Sequence, residues 1–154
     1  MINDNIQVIE FQAKYTQQVR DVVAMTLEDS GINTPSPFRK DPDLDHILEI
    51  YKDRGRFWIA LVNGEVVGTI ALENKIGPTA TLKRVFVLTL YQGKGIAQLL
   101  LEKAVHFAIK KEYKVLELTS DLRMKRAHRF YERHGFKKIG EDAEQYFYRL
   151  ILQN

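Results

Sequence analysis

Tyr91-Gln92-Gly93-Lys94-Gly95-Ile96-Ala97-Gln98 is the stretch on which the reading of this chain turns. Before it, Thr81 to Leu88 is rich in β-forming residues and reads as a strand. After it, Ile96, Leu99, Leu100, Ala104, Phe107 and Ala108 fall on one helical stripe. The octapeptide is therefore a strand-to-helix junction. A helix start exposes unpaired backbone N–H groups and the positive end of the macrodipole, which suits an anion. Glycine at 93 and 95 lets the backbone turn tightly and approach a bulky anion without a Cβ in the way. Ala97 keeps the first turn slim, and Lys94 adds a mobile positive charge.

Two phosphate-binding patterns fail on these residues. A dinucleotide fingerprint needs glycine where Gln98 stands, and the following acid is absent from a strand end because Glu117 sits inside its strand. A Walker loop needs Gly-Lys-Ser/Thr, which does not occur here. A bare glycine turn that only opens a helix stays compatible with the spacing.

Outward from the junction, the pattern is that of one domain over residues 1–154. Ile6 to Phe11 alternates as a strand, and Lys14 to Ser30 has helical spacing through Val19, Val22, Val23, Met25, Thr26 and Leu27. Asn33 to Pro42 holds three prolines and predicts an irregular connection. Leu44, Ile47, Leu48 and Tyr51 predict a second helix ending near Gly55. Phe57 to Val62, the turn dipeptide Asn63-Gly64, and Val66 to Leu72 form a hairpin. Gly77-Pro78 turns the chain again. Val115 to Thr119 is a strand, Arg126 to His134 a short helix ended by Gly135, and Phe136 to Ile139 and Tyr146 to Leu152 are two closing strands. An antiparallel meander, a β-loop-α-β unit and a final hairpin make an α/β (α+β) fold, with helices on both sides of a mixed sheet.

Around thirty residues after the loop comes Ala127-His128-Arg129-Phe130-Tyr131-Glu132-Arg133-His134-Gly135-Phe136. Ala127, Phe130, Tyr131 and His134 share one helix face, which by itself is ordinary core spacing. Together with Gln92-x-x-Gly95-x-Ala97, this ending resembles the GNAT superfamily of acetyl-CoA-dependent N-acetyltransferases, over roughly residues 55 to 140. The resemblance implies a mixed, mostly antiparallel central sheet of about six to seven strands flanked by about four helices.

By the same resemblance, backbone amides of Gln92, Gly93, Lys94, Gly95, Ile96 and Ala97 bind the pyrophosphate of coenzyme A. The preceding strand, through Val85, Phe86 and Val87, offers backbone groups to the pantetheine arm and the thioester carbonyl. Tyr131 meets the coenzyme A sulfur and serves as general acid; an unperturbed tyrosine has a pKa near 10 and keeps its proton at neutral pH. Glu117 matches a strand glutamate that serves some members as base, with Glu73 as a second candidate and a salt-bridged strand carboxylate as the plain alternative. Met124 stands where many members carry asparagine, and the loop from Thr119 to Lys125 looks long and basic.

Composition bounds the rest. The chain has no cysteine, which removes disulfides, thiolate metal sites and a cysteine nucleophile. Its four histidines lack ligand spacing, so no metal is expected. No apolar run approaches a membrane span and the N-terminus does not read as a signal peptide, which makes the cytoplasm the default expectation. A net charge of +3 suits an anionic small molecule, and nucleic acid is not expected as a partner. The basic run Lys125, Arg126, Arg129, Arg133, Lys137 and Lys138 reads as a solvated face that also attracts the phosphates of coenzyme A. Asp41, Asp43 and Asp45 read as macrodipole stabilisers at a helix start. The acceptor is a small-molecule or peptide amine of unspecified kind. A non-catalytic acyl-CoA-binding module and a nicotinamide- or flavin-binding domain are the alternatives. A homodimer paired through the apolar strand Tyr146 to Leu152 is compatible with the pattern.

Overall fold

The first three strands after the N-terminal helical region form the expected meander, because each link is a local turn signal. The computed structural model describes residues 5–32 and 41–153; of the connection expected over 33–42, residues 33–40 lie outside that range. Strands β1 (Ile6–Glu10), β2 (Arg56–Val62), β3 (Glu65–Glu73) and β4 (Thr79–Val87) pair antiparallel with one another in that order. The β2–β3 turn has Asn63 at φ 51° and Gly64 at φ 82°, the doubly left-handed turn that matches strand twist. Three more strands, β5 (Val115–Asp121), β6 (Lys137–Glu141) and β7 (Gln145–Ile151), complete a seven-stranded sheet of order β1-β2-β3-β4-β5-β7-β6.

Helix α3 (Ile96–Lys110) covers one face of the sheet, and α1 (Thr16–Asp29) with the short α2 (Ile47–Ile50) covers the other. Strand β2 feeds both layers. Phe57, Ile59 and Leu61 join the α1/α2 core, while Trp58, Ala60 and Val62 join the α3 core. This double burial explains why β2 reads as a continuous apolar run. Helix α4 (Lys125–Arg133) sends Tyr131 into the α3-side core.

The sheet is split at its centre. Strands β4 and β5 are parallel, but their pairing runs only from Thr79↔Val115 to Thr81↔Glu117. Beyond it, β4 continues to Val87 on β3 while β5 follows β7 as far as Asp121↔Gln145. On its other side β4 carries a bulge. Thr69 pairs with Phe86 and Ala71 with Lys83, so Arg84 and Val85 together oppose Ile70. Arg84 takes φ 56°, and the extra residue bends the strand away from β5.

Several expectations change in the folded chain. The second helix is broken: a 3₁₀ turn at Pro42–Asp45 is followed by only four α-helical residues, with His46 non-helical between them. Leu99 is exposed, and Leu101 takes its place in the buried stripe of α3. The loop before α4 is short, because pairing with β7 carries β5 on to Asp121. Strand β7 is held on both edges by β5 and β6, so it has no free edge for a second chain. Asp41 and Asp43 are ion-paired to Arg84 and Asp45 to Arg20, so charged partners rather than a helix dipole hold these acids.

Candidate active site

The wedge between β4 and β5 opens into a cavity of about 720 Å³. Its walls come from β4 (Val85, Phe86, Val87), the loop and first turn of α3 (Gln92, Gly93, Gly95, Ile96, Ala97), and α4 (Phe130, Tyr131). Each sequence-expected cofactor residue therefore fronts this space except Lys94, which points to solvent.

The loop owes its shape to two left-handed residues, Gly93 at φ 79° and Gly95 at φ 83°. Gly95 is also the N-cap of α3, and it has no side chain to satisfy the first-turn amides of Ile96, Ala97 and Gln98. These donors are unpaired within the helix and lie at its positive end, the requirement for an anion site. A Cβ built on Gly93 would lie 3.7 Å from Nη2 of Arg126, so a guanidinium stands beside the loop. Lys125, Arg126, Arg129 and Arg133 of α4 all line the cavity, so this basic cluster faces the cavity as well as solvent. Lys138 is instead tied to Glu141 and lies over the Tyr146 ring.

Tyr131 is 5% exposed and packs edge-on against Phe130 and Phe136, with Tyr148 beside it at 5.7 Å between ring centroids. Burial, with Tyr148 adding a smaller push, holds its phenol well above tyrosine's usual range. No hydrogen bond to the phenol is found among the described residues. Its proton is thus kept and is not committed to a protein acceptor. Met124 also lines the cavity, one residue before α4, where its side chain supplies no cap.

Glu117 is not among the cavity residues. It receives both Nε and Nη2 of Arg149, at 2.8 and 2.6 Å, from its cross-strand partner on β7. Glu73 is likewise engaged, by Lys75 and Lys83. Burial pushes the Glu73 carboxyl up, but hydrogen bonds and charge from the two lysines outweigh it and leave it below the usual range. The carboxylate that lines the cavity among the described residues is Asp29, at the end of α1, whose Oδ2 accepts the Thr89 hydroxyl at 2.7 Å. Arg123 lies on the same rim. It donates to Asp121 through Nε and Nη2 and to the Gly31 carbonyl through Nη1, joining the β5–α4 loop to the end of α1. Asp29 and Arg123 carry no local motif; the packing of α1 on β3 and β4 brings in the first and the β5–α4 loop the second.

Residues 23–136 match the Acetyltransferase (GNAT) family. The chain belongs to the GNAT family.

A GNAT acetyltransferase from Staphylococcus aureus Mu50 is similar in structure, with a TM-score of 0.87 and 25% identity over 96% of this chain and 99% of that one. The PaiA N-acetyltransferase of Thermoplasma acidophilum, solved in complex with coenzyme A, shares the fold with a TM-score of 0.83 at 19% identity, over 96% and 99% of the two chains. In sequence, the N-acetylaspartate synthetase of Xenopus tropicalis is 38% identical over 101 residues, which are 64% of this chain and 37% of that protein. The matches to curated relatives of this kind span about a third of their length. The seven-stranded sheet with its helices on both faces is the GNAT fold. Among the described residues of this GNAT chain, no helix is long and apolar enough to cross a membrane, and no group of three His, Asp or Glu could hold a metal ion.

Proposed function

We propose that this chain moves an acetyl group from acetyl-CoA directly to a primary amine. The observation that carries the reading is the joining, in one cavity, of an uncapped helix start, a stretch of β4 left without a partner on its β5 side and the buried phenol of Tyr131. The amides of the loop and of Ile96 and Ala97 would hold the pyrophosphate of coenzyme A, with Arg126 beside them. Past Thr81 the β4 backbone has no β5 partner, so the groups of the Val85–Val87 segment that face away from β3, other than the Val87 carbonyl held by Gln92, would take the pantetheine arm and thioester.

The thioester supplies the activated acetyl carbon. The amine attacks it, the C–N bond forms, and the C–S bond breaks. The departing thiolate takes the Tyr131 proton, and the amine loses a proton in the same overall exchange. Tyr131 suits the first task because burial keeps it protonated. Asp29 suits the second better than Glu117, since it lines the cavity while Glu117 is occupied by Arg149. Positioning supplies much of the rate.

The acceptor reading starts from the relatives' name, which makes aspartate the first amine to try, followed by polyamines, other amino acids and peptide N-termini. Thermal unfolding with acetyl-CoA, with coenzyme A, with NAD and without ligand tests the donor. A ligand at about 100 times its Kd adds roughly 2.7 kcal/mol of stability. A raised midpoint with both coenzyme A species and none with NAD, followed by acetylation of an amine in the panel, is the expected outcome. A shift without turnover on any amine would favour a non-catalytic acyl-CoA binder, and no shift would refute the donor assignment.

A further inference from the structure

Arg84 occupies the left-handed region at φ 56°, in the bulge of β4, where a non-glycine residue is costly. It is tied from both ends. Its carbonyl oxygen accepts the hydroxyl of fully buried Thr69 at 2.7 Å. Its guanidinium reaches to the opposite layer, donating from Nε to Asp43 Oδ2 at 3.0 Å and from Nη2 to Asp43 Oδ1 at 2.5 Å and Asp41 Oδ1 at 3.0 Å. Tyr51 donates its hydroxyl to the same Asp43 carboxylate at 2.8 Å. The Arg84, Asp41 and Asp43 side chains are only 15%, 14% and 19% exposed. A pair this buried gives up hydration that its Coulomb attraction barely returns, so net stability is a weak explanation for it. Its forked, fixed geometry is a better one.

What that geometry fixes is the next three residues. Val85, Phe86 and Val87 line the cavity along the stretch of β4 that β5 has left. We propose that Arg84 is a positioning residue, which locks the β4 bulge so that the backbone beside it meets the donor's thioester. Thr69 sets the bulge from the neighbouring strand. Asp43 and Asp41 hold it from the 3₁₀ turn at Pro42–Asp45, so order in that turn is transmitted to the reacting carbonyl. This rests on the acetyltransferase reading above, and the role lies in orienting backbone, since Arg84 itself is not among the cavity residues.

The test compares the full chain with Arg84→Gly, Arg84→Lys and Asp43→Asn. Glycine accepts the left-handed conformation without strain, so Arg84→Gly keeps the bulge available while removing the lock. Coenzyme A affinity, kcat on whichever amine the unaltered protein acetylates, and amide exchange of the 82–88 peptide are measured. Arg84→Gly and Asp43→Asn are expected to bind coenzyme A within about twofold of the unaltered protein while kcat falls by roughly 10- to 100-fold, the scale of a misplaced reacting group. The 82–88 amides should exchange faster, and Arg84→Lys should recover part of kcat. Unchanged kcat in Arg84→Gly or Asp43→Asn overturns the proposal. So does a fall in coenzyme A affinity in step with kcat, or unfolding of all three variants at the assay temperature, since either marks a general structural role. Absence of any response to acetyl-CoA by the unaltered protein would remove the acetyltransferase reading itself and this inference with it.

Discussion

Nε2 of Gln92 donates to the carbonyl oxygen of Val87 at 3.0 Å, so the first residue of the loop holds the last residue of β4. The signature glutamine, itself part of the cavity wall, is thus tied back to the strand. It fixes the angle at which β4 enters the loop, and so the distance between the free strand edge and the amides at the start of α3.

Gln92→Ala should therefore weaken coenzyme A binding without touching the anion site directly. Loss of one such hydrogen bond is worth about 1 kcal/mol, or roughly fivefold in Kd. Titration calorimetry with coenzyme A measures it. A Kd unchanged within error would mean that the loop keeps its angle through Gly93 and Gly95 alone.

Asp29, which lines the cavity, stands against Glu117, the candidate base of the sequence reading. Asp29→Asn should lower kcat by about 100-fold, within the range for loss of a general base. Glu117→Gln should leave kcat nearly unchanged and remove only the exposed ion pair with Arg149, worth about 0.5 kcal/mol or less. Steady-state kinetics of the two variants on the same amine decide the matter; the reverse ranking would return Glu117 to the role.

The difference between those carboxylates shows where sequence reading stops. The loop, the hairpin at Asn63-Gly64 and the stripe of α3 were legible because turn residues and helical periodicity are local signals. The bulge at Arg84 was not, since it exists only in the register of β4 against β3. Placement of β7 between β5 and β6 is non-local in the same way, and it takes away the free edge that the apolar C-terminal strand suggested. The sequence puts Glu117 inside a strand, but only the register of β5 against β7 brings Arg149 beside it. No sequence signal marks Asp29; its place in the cavity depends on how α1 packs on β3 and β4.

Acid sensitivity should begin near neutrality, through His128. This side chain is 6% exposed, its ring lies 4.7 Å from that of Tyr146, and Nε2 donates to the Asp121 carbonyl at 2.9 Å. Burial lowers its pKa from the usual 6.5, outweighing the Asp121 carbonyl and the charges of Glu132 and Asp121. The unfolded chain then binds the proton more readily than the folded one. The stabilisation is complete above about pH 6.5 and is lost as pH falls through the lower, folded value. Thermal midpoints of the unaltered protein should drop between about pH 7 and 5, and His128→Phe should flatten that part of the curve. An identical slope in the variant would assign the loss to other groups.

Tyr131 sits one helical turn from His128 on α4, and its prediction concerns a proton that must not be lost early. A phenol at the usual pKa near 10 would begin to deprotonate by about pH 9, and a donor role would show as falling kcat there. Burial raises the Tyr131 pKa beyond that range, so kcat should stay level through alkaline pH as far as this group is concerned. Tyr131→Phe keeps the ring packing against Phe130 and Phe136 and removes only the hydroxyl. It should lower kcat by about 100-fold or more, the usual contribution of a positioned acid, while coenzyme A affinity changes little. Thiolate departure would then need a proton from water, and a donor acetyl thioester with a more acidic thiol should recover part of the lost rate in the variant more than in the unaltered protein. Equal kcat in the two proteins would mean that Tyr131 shapes the cavity and donates nothing.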